Sequence, residues 1–353
     1  METRLIASLY FPEIPTYFMK TASFKRHDLI FKKPGGTSRG VLHSKETFIL
    51  TIKEGKKTGI GECALFRGLS VDDIDNYEEK LQWLCENISL DSEFIKHELL
   101  HYPSIWIGYE QAMLNLKHGS SIYFPSAFTE GNSAIKINGL IWMGDAGFMR
   151  TQIQEKLAAG FNCIKLKIGV DWNSERKIIE ELRQQYSAEI LEIRVDANGA
   201  FSPAEAETVL QQLAELQIHS IEQPIKAGNT NDMAELCLKT PTPIALDEEL
   251  IGIVEFTEKE ELLRKIMPQY IILKPSLAGG FSGCDEWIAI AENLKTGWWI
   301  TSALESNIGL NAIAQYTFTK NNPLPQGLGT GALFTNNFES VLKLEGDQLS
   351  YTG

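Results

Sequence analysis

Eight short apolar or alternating segments recur in the second part of the chain, at 135–141, 163–168, 190–196, 218–222, 244–247, 270–274, 298–303 and 326–329. From Asn138 through Leu166, Val195, Ile221, Ala245, Ile272 and Ser302 to Gly327 the intervals are 28, 29, 26, 24, 27, 30 and 25 residues. Most of the spacers have helical periodicity: 145–160, 172–187, 202–217, 232–240, 259–267, 280–294 and 309–319. Strand and helix alternating in units this short imply parallel strands joined by crossover helices. Eight of them match a closed β/α barrel. An open nucleotide-binding sheet would want a glycine-rich turn after its first strand, and Ile141-Trp142-Met143-Gly144-Asp145 offers none.

The preceding residues follow another pattern. Strands are expected at 3–11 and 46–52, the latter turning through Lys53-Glu54-Gly55-Lys56-Lys57 into Thr58-Gly59-Ile60-Gly61-Glu62 as a hairpin. Residues 32–40 hold three glycines and a proline, the signal of a mobile loop. Ser70 is placed to cap a helix through Ser89, and a second helix fits 105–117, ending at Gly119. This part reads as a small α+β unit.

Composition narrows the chemistry. With 33 basic against 46 acidic side chains in 353 residues, the net charge of −13 argues against partners such as nucleic acid or an anionic membrane surface. No apolar run is long enough to cross a bilayer, and the start lacks a secretory pattern, so a cytoplasmic location is expected. Five scattered cysteines without a CxxC pair exclude a disulfide scaffold and a thiolate zinc site. Oligomeric state is not legible.

Barrel strands buried on both faces should be almost continuously apolar. Here Lys165 and Lys167 lie in the second, Asp196 closes the third, Glu222 the fourth, Asp247 the fifth and Lys274 the sixth, while Glu305 follows the seventh. Taken singly, a lysine at a strand end snorkels and a carboxylate after a strand caps the next helix. Glu305 could be such a cap; His219 reads as a packed core residue, and Glu62 either touches the barrel rim or closes a hairpin. Jointly, six charges at barrel spacing converge on one rim, where barrel active sites lie.

Lys165 and Lys167, two apart, share a strand face and point into the mouth. Asp196, Glu222 and Asp247 come from neighbouring strands, and three carboxylates meeting at one point would repel. A hard, oxygen-seeking dication removes the conflict, Mg²⁺ being the natural candidate and Mn²⁺ a possible substitute. No histidine or cysteine at these ends favours zinc. Lys167 and Lys274, four strands apart in a ring of eight, face each other. The set suits removal of a proton next to a carboxylate, with the metal holding the enediolate oxygens. The base must be a neutral amine, and Lys165 and the dication would depress the ammonium pKa of Lys167.

These motifs resemble the enolase superfamily, in its muconate-lactonizing subgroup: K-x-K at Lys165–Lys167, Asp-Ala-Asn-Gly from Asp196, Glu-Gln-Pro from Glu222, Asp-Glu from Asp247, Lys-Pro from Lys274, and Gly-Ile-Gly-Glu at 59–62 in place of the usual Gly-Trp-Gly-Glu. The likeness implies a (β/α)7β barrel at 129–331 with an α+β capping domain at 1–128 completed by 332–353. It implies Lys167 and Lys274 as the acid/base pair and Asp196, Glu222 and Asp247 as Mg²⁺ ligands, a lysine base and metal-held enediolate being general in the superfamily. Residues 33–40 correspond to the loop that closes over substrate. Lys165, Asn198, Ser302, Glu305, Ser306, Ser38 and Arg39 are candidates for contact with a small carboxylate substrate.

Subgroup chemistry divides among dehydration, cycloisomerisation, racemisation of N-succinylamino acids and epimerisation of dipeptides. Ile300-Thr301-Ser302-Ala303-Leu304-Glu305-Ser306-Asn307-Ile308-Gly309 with Gly327-Leu328-Gly329-Thr330-Gly331 resembles the dehydrating members. These eliminate water from 2-succinyl-6-hydroxy-2,4-cyclohexadiene-1-carboxylate in menaquinone biosynthesis. Dipeptide epimerases typically carry Asp-x-Asp where Gly327-Leu328-Gly329 stands. The implied activity is a Mg²⁺-dependent lyase. The alternative is a racemase or epimerase using both lysines, and a barrel kept only for binding is a third reading.

Overall fold

A computed structural model describes residues 19–37 and 40–353. The strand expected at 3–11, and Ser38 and Arg39, lie outside the described residues. Strands β1 (Thr21–Thr37), β2 (Gly40–Glu54) and β3 (Lys57–Cys63) form an antiparallel sheet in that order. The turn between β2 and β3 falls on Gly55-Lys56, with Gly55 at φ +58°, a region that glycine enters without a Cβ clash. Helices α1 (Tyr77–Glu86), α2 (Ser92–Glu98) and α3 (Pro103–His118) follow. Phe48, Leu50 and Ile52 of β2 bury against Tyr77, Leu81, Ile105 and Tyr109. Gly59 and Gly61 explain the glycine-x-glycine of β3: a Cβ at either would come within 2.0 Å of a carbonyl oxygen of α3, that of Ala112 or Gly108. The missing side chains let helix and strand touch backbone to backbone.

Three local expectations change. Residues 32–37 continue β1 instead of forming a loop; the pairing with β2 shifts register between Ile30 and Gly35, and this irregularity takes up Lys32, Lys33 and Pro34, which has no N–H for a ladder. The helix expected from Ser70 begins at Tyr77, because the Ser70 hydroxyl accepts from Phe66 N in a preceding turn and leaves Ile74 exposed. Helix α2, capped by Asp91 at the N–H groups of Glu93 and Phe94, was not anticipated.

The remaining elements alternate. Strand β4 (Ala134–Lys136) precedes the parallel set β5 (Gly139–Ile141), β6 (Cys163–Lys167), β7 (Glu192–Asp196), β8 (Ser220–Glu222), β9 (Ile244–Leu246), β10 (Tyr270–Leu273) and β11 (Gly297–Ile300), which are neighbours in chain order. Their crossover helices are α4 (Ala146–Ala158), α5 (Trp172–Gln185), α6 (Pro203–Glu215), α7 (Thr230–Lys239), α8 (Phe256–Ile266) and α9 (Gly280–Leu294), and α10 (Asn307–Thr319) follows β11. The eighth segment closes the ring by single bridges, Gln326 to Ile137 and Gly327 to Thr301, both parallel. Ile164, Leu166, Ile193, Val195, Ile221, Ile244, Leu246, Ile271 and Leu273 turn outward into one core under the helices. Their alternate neighbours therefore face the interior.

The segment expected as one first strand, 135–141, is split. Its beginning, β4, pairs antiparallel with β13 (Gln348–Tyr351), itself paired with β12 (Leu342–Glu345). Leu349 and Tyr351 join the barrel core. Of the final segment 332–353, assigned as a whole to the capping unit, it is Leu333 to Phe338 that runs along β1: Lys32 N donates to Leu333 O, Thr335 N to Ile30 O, and His27 packs on Phe338. Among the described residues no helix is long and apolar enough to cross a membrane.

Candidate active site

Register places the charged groups. Lys167 pairs with Asp196 and Asp196 with Glu222, while Glu222 pairs with Ala245, two residues before Asp247. All three carboxylates thus share the inner face at the C-terminal ends of adjacent strands. Each is almost wholly buried, as are Lys165 and Lys167. Lys165 Nζ donates to Glu222 Oε2 at 2.5 Å and to Asp196 Oδ2 at 3.4 Å. Lys167 Nζ donates to Asp196 Oδ2 at 2.8 Å and Asn198 Oδ1 at 2.7 Å, and Lys274 Nζ to Asp247.

These contacts set the charge states. Burial alone would lower the Lys165 ammonium, but Glu222 and Asp196 outweigh it and hold the pKa above its ordinary value. Lys274 is raised in the same way, by Asp247, Glu222, Glu248 and Asp196 against burial. Burial works against the Asp196 carboxylate, yet Lys167, Lys165 and Lys274 pull it well below the usual range. Asp247 is raised: burial pushes it up, Lys274 opposes, and Glu248 and Glu222 add to the push.

Backbone positions these groups. Asn198, at φ +45°, turns back so that its N–H donates to Asp196 Oδ1 and its side chain donates to Glu248. Gln223, at φ +41° and fully buried, accepts from Asp247 N and Glu249 N through its side-chain oxygen. One amide therefore ties the fourth strand to the fifth beside Asp247.

Among the described residues no three acidic, histidine or cysteine side chains stand close enough, as placed, to enclose an ion, because the lysine amines interleave with the carboxylates. The donor set still fits a hard dication: it is all oxygen, from adjacent strands in register, and Glu222 Oε1 is buried without a hydrogen bond, with Lys274 Nζ 3.7 Å away.

A cavity opens above this cluster. Lys165, Lys167, Asp196, Asn198, Lys274 and Ser302 line it. Its apolar wall comes from Leu42, Phe66 and Leu69 before the barrel and from Leu140, Trp142, Ala303 and Leu304 within it. Two expected contacts fall elsewhere. Glu305 is fully buried behind the wall, accepting from Ser276 Oγ and Ala303 N. Ser306 caps α10 by accepting from Ile308 N and donates to Glu62 Oε2. The chain turns at Leu304, φ +62°, which carries both side chains away from the mouth. Sequence reasoning missed Asn138, Leu140 and Trp142, whose signal was their spacing of two along the first strand. Asn138 Oδ1 is a buried, unpaired acceptor at the cavity wall.

The arrangement, a β/α barrel with opposed amines above strand-end carboxylates, defines a class of acid–base enzyme acting beside a carboxylate. A family model described as "Enolase C-terminal domain-like" matches residues 149–346. An o-succinylbenzoate synthase of Desulfotalea psychrophila is 43% identical over 93% of this chain and 98% of its own length. The crystal structure of MenC from the same organism superposes with a TM-score of 0.84 at 40% identity, covering 94% of this chain and 99% of that one. The substrate-liganded L-Ala-D/L-Glu epimerase of Bacillus subtilis shares the fold, with a TM-score of 0.82 at 21% identity over 95% and 96% of the two chains. The chain belongs to the enolase superfamily and, within it, to the family of the o-succinylbenzoate synthases.

Proposed function

We propose that the chain is a Mg²⁺-dependent hydro-lyase that converts 2-succinyl-6-hydroxy-2,4-cyclohexadiene-1-carboxylate to 2-succinylbenzoate, a step of menaquinone biosynthesis. The observation that carries the reading is one cavity lined by both Lys167 and Lys274, over the carboxylates of three adjacent strands, in a chain 43% identical to a named o-succinylbenzoate synthase. Asp196, Glu222 and Asp247 would hold the metal. When bound, Mg²⁺ supplies positive charge to offset the negative charge that develops on the substrate carboxylate.

Lys167, as the neutral amine, takes the ring proton next to the carboxylate. The electron pair of that C–H bond passes into the substrate carboxylate as an enediolate and returns to form a ring double bond as the C–O bond to the hydroxyl breaks. The leaving hydroxide collects the proton from Lys167 and departs as water, a syn elimination on one face. The ring becomes aromatic, so the step runs downhill. Lys274 need not transfer a proton: as a held cation it sits opposite, against the electron-rich ring. Leu42, Phe66, Leu69, Leu140 and Trp142 exclude water around the apolar ring. We also place Asn138 among the substrate-facing groups, with its unpaired oxygen the natural acceptor for a substrate or water hydrogen.

The test is an absorbance assay of the purified protein with the cyclohexadiene substrate, before and after EDTA treatment. Turnover that EDTA removes and Mg²⁺ restores is expected, with Mn²⁺ substituting. Absence of metal-dependent turnover overturns the reading. Solvent deuterium exchange into N-succinylamino acids or dipeptides that requires both lysines would instead favour the racemase or epimerase.

A further inference from the structure

The backbone that follows Lys167 is held by a carboxylate that does not line the cavity. Glu175, buried near the start of α5, turns back past the beginning of its own helix. Its Oε2 accepts from Gly169 N at 2.7 Å, and its Oε1 from Val170 N and Asp171 N, each at 3.1 Å. Three successive N–H groups thus close on one anion, a concave arrangement that favours negative charge. The helix has its own cap: the Asp171 side chain accepts from Ser174 N. The loop so held presses on its neighbour. Gly169, at φ +107°, leaves no room for a side chain, since a Cβ would sit 2.4 Å from Ala200 Cβ. Trp172, the first residue of α5, meets Phe201 edge to face with ring centres 6.3 Å apart. Ala200 and Phe201 end the loop that starts at Asp196 and carries Asn198, whose Oδ1 accepts from Lys167 Nζ at 2.7 Å.

We infer that Glu175 is a positioning residue for the base Lys167, acting through residues 169–171 and their contact with Ala200 to hold Asn198 in place. A lysine stem is flexible, and two acceptors fix this amine at the barrel mouth: Asp196 Oδ2 at 2.8 Å and Asn198 Oδ1. Asp196 is held by its strand, in register with Lys167 and Glu222. Asn198 stands on a loop at φ +45°, a left-handed conformation that a side chain keeps only where the surroundings impose it. On one side its Nδ2 donates to Glu248. On the other the support is Gly169 against Ala200, and Gly169 is itself tied to Glu175. Without the carboxylate three N–H groups lose their common acceptor, the 169–171 segment moves toward water, and Ala200 loses its backing. A base displaced by a fraction of an ångström loses rate more than it loses affinity.

The proposal rests on the reading of function above and is tested on the full chain. Glu175→Gln keeps the shape of the side chain but turns one of its ends into a donor that faces backbone N–H groups. Its kcat for the cyclohexadiene substrate should fall about tenfold or more, with KM within about threefold of wild type. Asp171→Ala is the control: it removes the helix cap and leaves the carboxylate, so it should lower the urea midpoint while kcat stays within about twofold. Asn198→Ala should lower kcat by itself, and adding Glu175→Gln to it should cost little more, because both changes act on the same amine. An unchanged kcat in Glu175→Gln, an equal loss of kcat in Asp171→Ala, or a double variant equal to the product of the singles overturns the proposal. Should Glu175→Gln fail to fold, Gly169→Ala pushes the same segment off Ala200 with the carboxylate intact, and an unchanged kcat there is equally fatal. A wild type without turnover sinks the functional reading; an active wild type beside an equally active Glu175→Gln sinks this inference alone.

Discussion

The barrel interior holds two layers of charge on the same strands, and they differ in how those charges are answered. At the rim Lys167, Asp196, Lys274 and Asp247 lie beneath the cavity. Two residues down β7, Arg194 is 1% exposed at the floor; its Nε donates to Glu192 at 2.7 Å and its Nη1 to Pro325 O at 2.9 Å, and the guanidinium stacks 4.3 Å from the Trp299 ring. Cys163 Sγ also contacts Glu192, and His219 packs on Tyr270 and Trp299, the packed role its sequence position suggests. None of these floor residues lines the cavity. A buried charge on a strand is therefore no mark of catalysis by itself. What separates rim from floor is a free volume into which the charges point; an unpartnered polar atom does not, since Arg194 Nη2 at the floor lacks a hydrogen bond just as Glu222 Oε1 does at the rim.

Substitutions at the two layers should separate accordingly. Lys167→Ala should lower kcat by about 10³-fold or more, the scale of losing a positioned base, with a urea midpoint close to wild type because Lys165 still faces Asp196. Arg194→Met should do the reverse: a stability loss of roughly 3 kcal/mol in urea unfolding, from leaving Glu192 without its buried partner, and a kcat within about threefold of wild type. Loss of turnover at unchanged stability in Arg194→Met would erase the distinction and make the floor part of the machinery.

The rim was legible in the sequence because charge interrupted strands that should have been apolar: Lys165, Lys167, Asp196, Glu222, Asp247 and Lys274 stand out against their neighbours. Asn138, Leu140 and Trp142 did not, since two of them are what a buried strand carries anyway. Sequence alone directs Glu305 and Ser306 toward substrate, because nothing in their identity shows that the chain reverses at Leu304. The sequence leaves Glu62 between two readings for a similar reason: its four donors come from β2 and from α10, some 244 residues away along the chain in the case of Ser306. The same blindness to distant pairing turned residues 32–37 into a loop, when Lys32 and Ile30 are tied to Leu333 and Thr335. Local periodicity shows elements; the direction a side chain takes at an element's end depends on partners that periodicity does not contain.

A third charge, half-buried, sharpens the contrast, because it is answered by backbone instead of an opposite charge. Glu110 on α3 accepts from Phe281 N at 2.6 Å and Ser282 N at 3.0 Å, at the start of α9, and Gly280 there has no room for a side chain: a Cβ would come within 2.2 Å of Glu110 Oε2. Burial pushes its carboxyl up to about 7, with the Ser282 and Phe281 donors and Lys96 only partly opposing. The folded state therefore binds this proton more tightly than the unfolded chain does, where a glutamate titrates near 4.3. Its contribution to stability is complete below that unfolded value and is lost as pH rises through about 7. Between about pH 4.5 and 8 wild-type unfolding free energy should fall by roughly 1–3 kcal/mol more than that of Glu110→Gln, which keeps an acceptor and cannot ionise. Urea titrations of the two proteins at both ends of that window measure the difference. Parallel profiles would mean that two N–H groups at a helix start satisfy the half-buried Glu110 carboxylate as well as Arg194 satisfies that of Glu192, and that the layers of the barrel differ in free volume alone.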